Sequence, residues 1–415
     1  MKHFNKTLLA LSITLASGQA MAAGFQLNAQ SATGLGRAFA GDAVIADNAS
    51  SMARNPATMA LFDSTAISVG AILIDTDVTL KNAKYQNNIP VLGPIYSKDN
   101  LSVNDIGGMS VVPNIFVVHP LNDQWAVGMG VYSNFGTTTE YPDDFAADVF
   151  GGLTKVRSIN FQGSVSYRLN EQWSFGAGLD IISGSGELKR SFKPLYPENK
   201  ALDVEAEGYG LGWHVGTVFE LDQNNHFGLS YRYSPTIKAD GDITFRGQTN
   251  IDDTLHLPLP SLAEFSGWHQ LTPKFALSYS AQYIHWSKFD VLTADGFESP
   301  IKEYNWRDTW HFSVGGTYTI NDTWTARAGY MYDMGAVDEV QSIAIPDSDR
   351  QWFSAGLSYH LSKHSVIDFG MTYLMGEDVH VYEDMKIGEK TVIASITGTT
   401  RANAFLYGMQ YSYKF

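Results

Sequence analysis

From Ala66 onward the chain alternates apolar and polar positions. Trp173, Phe175, Ala177, Leu179 and Ile181 share one face of a run whose other face is Ser174, Gly176, Gly178 and Asp180. Leu211, Trp213, Val215, Thr217, Phe219 and Leu221 oppose Gly210, Gly212, His214 and Gly216 in the same way, and Ile367, Phe369, Met371, Tyr373 and Met375 oppose Asp368, Gly370 and Thr372. A period of two places successive side chains on opposite faces of a β-strand. Six short turns punctuate the runs: Leu121 to Trp125, Leu169 to Trp173, Leu221 to Asn225, Leu271 to Phe275, Ile320 to Trp324 and Leu361 to His364. They recur about every 40 to 50 residues, which accommodates two strands and one longer loop. Six tight turns join seven strand pairs, so the pattern predicts fourteen strands with both chain ends on the tight-turn side. An apolar face opposite a small or polar face suits lipid outside and a lumen inside. A soluble β-sandwich would alternate too, but several runs are long and aromatics flank the turns.

Residues 23 to 64 break this pattern. Gly34-Leu35-Gly36-Arg37 and Arg54-Asn55-Pro56-Ala57 lie in a Gly- and Ala-rich stretch without alternation. A non-strand piece ahead of a long β domain is expected to be a plug, or hatch, with the barrel running from 65 to 415. Residues 1 to 22 read as a secretory signal, with Lys2 and Lys6 ahead of the apolar run Leu8 to Ala16 and a small-residue cleavage site at Ala20-Met21-Ala22. No apolar run approaches the roughly 18 residues of a membrane-spanning helix.

Composition narrows the chemistry. The chain has no cysteine, which excludes disulfides, thiolate metal sites and cysteine nucleophiles. A net charge of −15 argues against nucleic acid, which needs basic patches. Gly at 38 and aromatics at 13% suit many strands with interfacial aromatic girdles. The chain lacks His-Glu-x-x-His, Gly-x-Ser-x-Gly and a phosphate loop, so no enzyme class is supported and no cofactor is expected. His360 and His364 have the spacing of a helical metal pair, but they lie on strand and turn and read as surface histidines. The chain closes on Tyr411-Ser412-Tyr413-Lys414-Phe415, which resembles the C-terminal strand of bacterial outer-membrane proteins.

Beyond these features, the whole mature chain resembles the FadL family of outer-membrane long-chain fatty acid and hydrocarbon transporters (OMPP1/FadL/TodX). The resemblance is carried by Ala23-Gly24-Phe25-Gln26-Leu27, Ser31 to Ala40, Ile45-Ala46-Asp47-Asn48 and Arg54-Asn55-Pro56-Ala57. Pro113-Asn114, Ser133-Asn134-Phe135-Gly136, Tyr167-Arg168-Leu169-Asn170 and Ile345-Pro346-Asp347-Ser348-Asp349-Arg350 follow in order. It implies an all-β fold: a fourteen-stranded antiparallel transmembrane barrel with an N-terminal hatch in its lumen, in the outer membrane of a Gram-negative bacterium.

Site roles follow from the resemblance residue by residue. Phe25 matches the aromatic of the high-affinity lipid pocket. Asn55, Pro56 and Ala57 match the hatch motif. Ser133, Asn134, Phe135 and Gly136 match an inward kink of the third strand that opens a lateral exit, where glycine suits unusual backbone torsions. Arg190, in Glu187-Leu188-Lys189-Arg190, and Lys302, in Ile301-Lys302-Glu303, match contacts for the ligand carboxylate, with Arg307 in reserve. The stretches 190–208 and 247–262 are shorter than the corresponding family loops. Ile251, Leu255, Leu257, Leu259 and Leu262 are candidates for lining an outer groove. The implied partners are a long-chain fatty acid or other hydrophobic small molecule, with outer-membrane lipid and lipopolysaccharide around a monomer. Uptake of aromatic hydrocarbons is the alternative by the same route, and a general porin or adhesin is the second alternative.

Overall fold

The computed structural model describes residues 24–89, 93–338, 340–388 and 390–415. The expected signal peptide and cleavage site lie outside the described residues. Among these, the chain forms fourteen antiparallel staves closed into a barrel. They are β1 (Ala66–Ile89), β2 (Gly93–Val103 and Gly108–Pro120), β3 (Trp125–Tyr132 and Gly136–Glu140), β4 (Leu153–Arg168) and β5 (Trp173–Phe192). Next come β6 (Tyr196–Asp222), β7 (Asn225–Tyr233 and Thr236–Phe245), β8 (Gln248–Pro258 and Leu262–Thr272) and β9 (Phe275–Ile284, continued by Val291–Ala294). The last five are β10 (Thr309–Thr319), β11 (Trp324–Asp333), β12 (Arg350–His360), β13 (Ser365–Gly376 and Val379–Ile387) and β14 (Thr391–Lys414). β14 closes on β1 in a register running from Ala66 opposite Lys414 to Asn87 opposite Ala394.

The six tight turns share one device. A polar side chain at the second turn position accepts backbone N–H groups two and three residues on. Asn122, Asn170 and Asn321 do so through Oδ1, and Thr272 and Ser362 through their hydroxyls. Asp222 accepts the Asn224 N–H and the Asn225 side-chain amide. These bonds replace ladder partners that the chain loses on reversing, which is why Asn, Asp, Ser and Thr recur there. At the other rim the stretches read as shortened loops are extended hairpins. The one between the outer pieces of β7 and β8 turns on Arg246 and Gly247, both at positive φ, where glycine relieves a strain most residues would carry.

Alternation resolves into two environments. Phe175, Leu179 and Ile181 of β5 are exposed on the outer wall, whereas Ser174 and Asp180 are completely covered from inside. Aromatic pairs band the outer wall: Trp125–Tyr167, Trp173–Phe219 and Trp324–Tyr359 near the tight turns, and Trp213–Tyr231, Tyr283–Trp310 and Tyr373–Phe405 farther up. Rings with one wet and one apolar side belong at membrane–water boundaries.

Residues 24–62 pack against the inward face of the wall. A short helix, α1 (Ala32–Leu35), is capped by Ser31, whose hydroxyl accepts the Gly34 N–H and donates to Gln410 Oε1. Two 3₁₀ turns follow, Ala49–Ala53 and Pro56–Leu61, capped by Asn48 and Asn55. Pro56 fits at the first position, where no N–H is needed. Asn55 also donates to the carbonyls of Ala43 and of Thr217 on β6, which ties this segment to the wall.

The inward glycines find their use here. A methyl at Gly176 would stand 2.4 Å from the Ala57 nitrogen, at Gly228 2.1 Å from the Ala43 carbonyl oxygen, and at Gly370 2.4 Å from that of Ala32. They act as a socket for a backbone rather than as flexible points. Gly176→Val is therefore expected to unseat the Pro56–Ala57 turn, measured as a rise in ion conductance across planar bilayers relative to wild type. Charged contacts complete the seat. Arg37 pairs with Asp42 and Asp47 inside the segment, Arg54 reaches Glu264 on β8, and Arg327 on β11 lies 3.4 Å from Asp368 and 3.8 Å from Asp47.

Candidate ligand-binding site

At Ser133–Gly136, where the resemblance implies a kink, the pairing of β3 is interrupted. Tyr132 still pairs with Asn160 of β4, and pairing resumes with Gly136 opposite Arg157. Between them the Ser158 N–H still donates to Phe135 O, and the N-terminal segment bonds the neighbouring backbone. Leu27 N–H donates to Asn134 O at 2.7 Å and Gly136 N–H to Phe25 O at 2.8 Å, flanking an antiparallel bridge between Gln26 and Phe135. Gln30 donates to Asn134 Oδ1, and Asn114 of β2 to Ala29 O. The ladder between β2 and β3 ends at Ile115 opposite Val131; farther up, a single backbone bond from Glu140 N–H to Ile106 O joins these staves among the described residues. Opposite residues 25–30, regular pairing between β2 and β3 is thus interrupted. Gly136 differs from expectation in its reason. It is not among the positive-φ residues; what its bareness provides is room for Leu27, whose Cδ1 would lie 3.3 Å from an added methyl.

Beside the kink, Phe25 is completely buried in an aromatic cage. Its ring centroid lies 4.8 Å from Trp286, 5.0 Å from Phe289, 5.7 Å from Trp306 and 6.1 Å from Phe135. Edge-to-face contacts of this kind contribute about 0.5–1.5 kcal/mol each beyond burial. Gly24 is pinned above by Asp347, whose Oδ1 accepts the Gly24 N–H at 3.2 Å and Arg350 Nη2 at 2.6 Å. Asp347 Oδ2 accepts the N–H groups of Ala336 and Val337. Burial pushes the Asp347 carboxyl above its ordinary range, against the opposing pull of Arg350 and those loop N–H groups. Leu255, Leu257, Leu259 and Leu262 join the same apolar core as Phe25, so they line its interior and not an outer groove; Ile251 alone stays exposed.

Polar groups sit at one edge of this core. Tyr304 lies tilted against Phe289 with ring centroids 4.5 Å apart and connects the cage to Lys302, two residues earlier. The Lys302 ammonium is held by Glu383, which also accepts Ser342 Oγ and the Ile343 N–H. Arg190 lies within electrostatic reach of Tyr304 and Glu383, and its guanidinium donates to the carbonyls of Leu153 and Lys189 and to Thr154 Oγ1. The structure thus brings Phe25, Arg190 and Lys302 to one region. It does not bring Arg307 there: that side chain is 47% exposed, donates to Gly335 O and stands 3.9 Å from Asp338. An apolar core with cations at one edge suits a long apolar chain with a charged end.

Trp286, Phe289, Tyr304 and Trp306 were not singled out by the sequence. Their signal was available, because Trp286-Ser287-Lys288-Phe289 and Tyr304-Asn305-Trp306 are aromatic-rich and break alternation. Glu383 carries no motif in the sequence that sets it apart from the other acidic residues.

Lower in the lumen, four staves contribute a buried chain of contacts. Ser164 Oγ lies 2.8 Å from His214 Nε2, and His214 Nδ1 2.8 Å from Asp180 Oδ2. The connectivity is that of a hydrolase triad, but Asp180 is bound by Arg232 and Ser164 Oγ accepts Gln162 Nε2. Arg232 and Gln162 each donate onward to the carbonyls of Ala53 and Met52 in the N-terminal segment. This cluster therefore fastens that segment to the wall. His360 and His364 take separate partners, Thr325 Oγ1 and Lys414 O.

Comparison with known proteins agrees with this architecture. The family model described as outer membrane protein transport protein (OMPP1/FadL/TodX) matches residues 13–415. The chain is 34% identical to a protein named long-chain fatty acid transport protein from Escherichia coli O6:H1, covering 99% of each chain. It is 34% identical to outer membrane protein P1 of Haemophilus influenzae, covering 100% of each. The crystal structure of a Pseudomonas aeruginosa FadL homologue superposes with a TM-score of 0.83 at 22% identity, covering 95% of this chain and 100% of that one. The closed fourteen-stave barrel, its lipid-facing wall and these matches together make the chain a transport protein of the Gram-negative outer membrane and not an enzyme, a member of the OMPP1/FadL/TodX family.

Proposed function

We propose that this transporter carries long-chain fatty acids. A ligand is captured at the outer rim and enters the slot around Phe25, with its carboxylate turned to the edge where Arg190 and Lys302 stand. Residues 23–64 serve as the hatch, held by the Asn55-Pro56-Ala57 turn. The ligand displaces the tip from the kink at Ser133–Gly136 and leaves sideways through the gap between β2 and β3. One observation carries this reading: Phe25 belongs both to the aromatic cage and, through its carbonyl, to the backbone bonds that cover the kink. Filling the cage and uncovering the gap therefore involve the same residue. Each buried CH₂ contributes up to about 0.8 kcal/mol, so a long chain has ample free energy to compete with one phenyl ring. The barrel acts as a monomer, its outer wall in lipid and lipopolysaccharide.

Binding of oleate and of oleyl alcohol to the purified protein tests the assignment. Arg190→Ala should weaken oleate by about tenfold to hundredfold, the value of a charge-assisted bond of about 1.5–3 kcal/mol, and leave the alcohol unchanged. Equal affinity of wild type and variant for oleate would refute the carboxylate role. Toluene binding insensitive to Arg190, with no oleate binding, would favour the hydrocarbon reading. A large, steady open conductance in planar bilayers would favour a porin.

A further inference from the structure

We propose that Glu383 is a resident carboxylate that sets the charge of the ligand site: it withdraws Lys302 from headgroup recognition and leaves Arg190 as the one cation that reads the ligand. The inference rests on the reading of the chain as an amphiphile transporter and specifies its substrate class.

Glu383 stands on the outer piece of β13 with only 8% of its side chain exposed. It accepts from the Lys302 ammonium, from Ser342 Oγ at 3.2 Å and from the Ile343 N–H at 3.3 Å. A covered carboxylate with three donors is fully engaged, and stripping Lys302 from it would leave a buried anion poorly compensated. A ligand carboxylate arriving at Lys302 therefore meets a charge already matched by Glu383.

Arg190 is bound differently. Its donors go to two backbone carbonyls and a threonine hydroxyl, all neutral, and among the described residues no carboxylate forms an ion pair with it. Asp148, the nearby acid, is occupied by the backbone N–H and hydroxyl of Ser191 and lies 3.7 Å from Lys193. Lys302 is matched by Glu383 and Lys193 by Asp148, so Arg190 is left as one positive charge beside the apolar core. A hydrocarbon would leave that charge unmatched, and a doubly charged headgroup would overfill it. A single negative charge on a long apolar chain balances it.

The test compares oleate, oleyl alcohol and oleyl phosphate, the last a dianion near neutral pH, binding to the full-length protein. Wild type should prefer oleate. Glu383→Gln keeps the side chain's size and an acceptor for its neighbours but raises the site by one charge. It should tighten oleyl phosphate by about tenfold or more and leave oleyl alcohol unmoved. The double variant Lys302→Met/Glu383→Gln restores the original net charge and should regain wild-type preference. If oleyl phosphate and oleyl alcohol shift together, or if the double variant behaves like Glu383→Gln alone, the charge-setting role is wrong while the transporter reading stands. If wild type binds none of the three, that reading falls and this one with it.

Discussion

A cysteine pair at Gln26 and Phe135 should turn transport into a redox-controlled process. These residues form the bridge between the N-terminal segment and the kink, flanked on either side by the backbone bonds Leu27–Asn134 and Gly136–Phe25. Residues opposite one another in that arrangement have Cα atoms about 4.5 Å apart, within disulfide range. The chain has no native cysteine to interfere. Oxidised protein should take up labelled oleate no faster than cells lacking the barrel, and reductant should restore uptake. Comparing two redox states of one variant cancels the loss of the Phe135 ring, so a difference in uptake reports the lock itself. Uptake at equal rates in the two states would show that the tip need not leave the kink.

Removing Arg232 is expected to have the largest effect on stability. Its guanidinium neutralises Asp180, which is completely buried, and donates at 2.7 Å to the Ala53 carbonyl. Arg232→Met leaves that carboxylate with His214 alone and frees one anchor of the N-terminal segment. Breaking a buried pair from one side costs about 3–5 kcal/mol. Denaturant unfolding of the refolded barrel should show a loss of this size. Asp180→Asn combined with Arg232→Met removes both charges and should recover most of it, because no buried ion remains. A single variant as stable as wild type would mean that water already compensates Asp180.

Different parts of the molecule were legible to different degrees. The staves and their turns were readable because their causes are local: period two follows from the pleat, and Asn122, Asn170 and Asn321 satisfy backbone donors two and three residues away. The inward glycines were visible as small residues, but their purpose was not, since Gly176 answers to Pro56 and Ala57 across the lumen. Phe25 and the kink could be marked only through resemblance. Nothing local says that Leu27 and Asn134 exchange a backbone bond 107 positions apart in the chain. Arg190 and Lys302 could be marked only through resemblance, with Arg307 in reserve. The structure separates them into one bound to neutral oxygens, one held by Glu383 and one at the exposed rim.

By itself, then, the sequence determined the barrel: the number of staves, the side of the tight turns, the lipid-facing wall and the unalternating piece that precedes it. Those properties depend on neighbours within a few residues and on the solvent each face meets. Tertiary structure alone decided where that piece sits, which rings enclose Phe25 and which charge remains unmatched. Each of these depends on pairs brought together by barrel closure, such as Lys302 with Glu383 and Asp180 with Arg232, whose separation along the chain carries no trace of their contact.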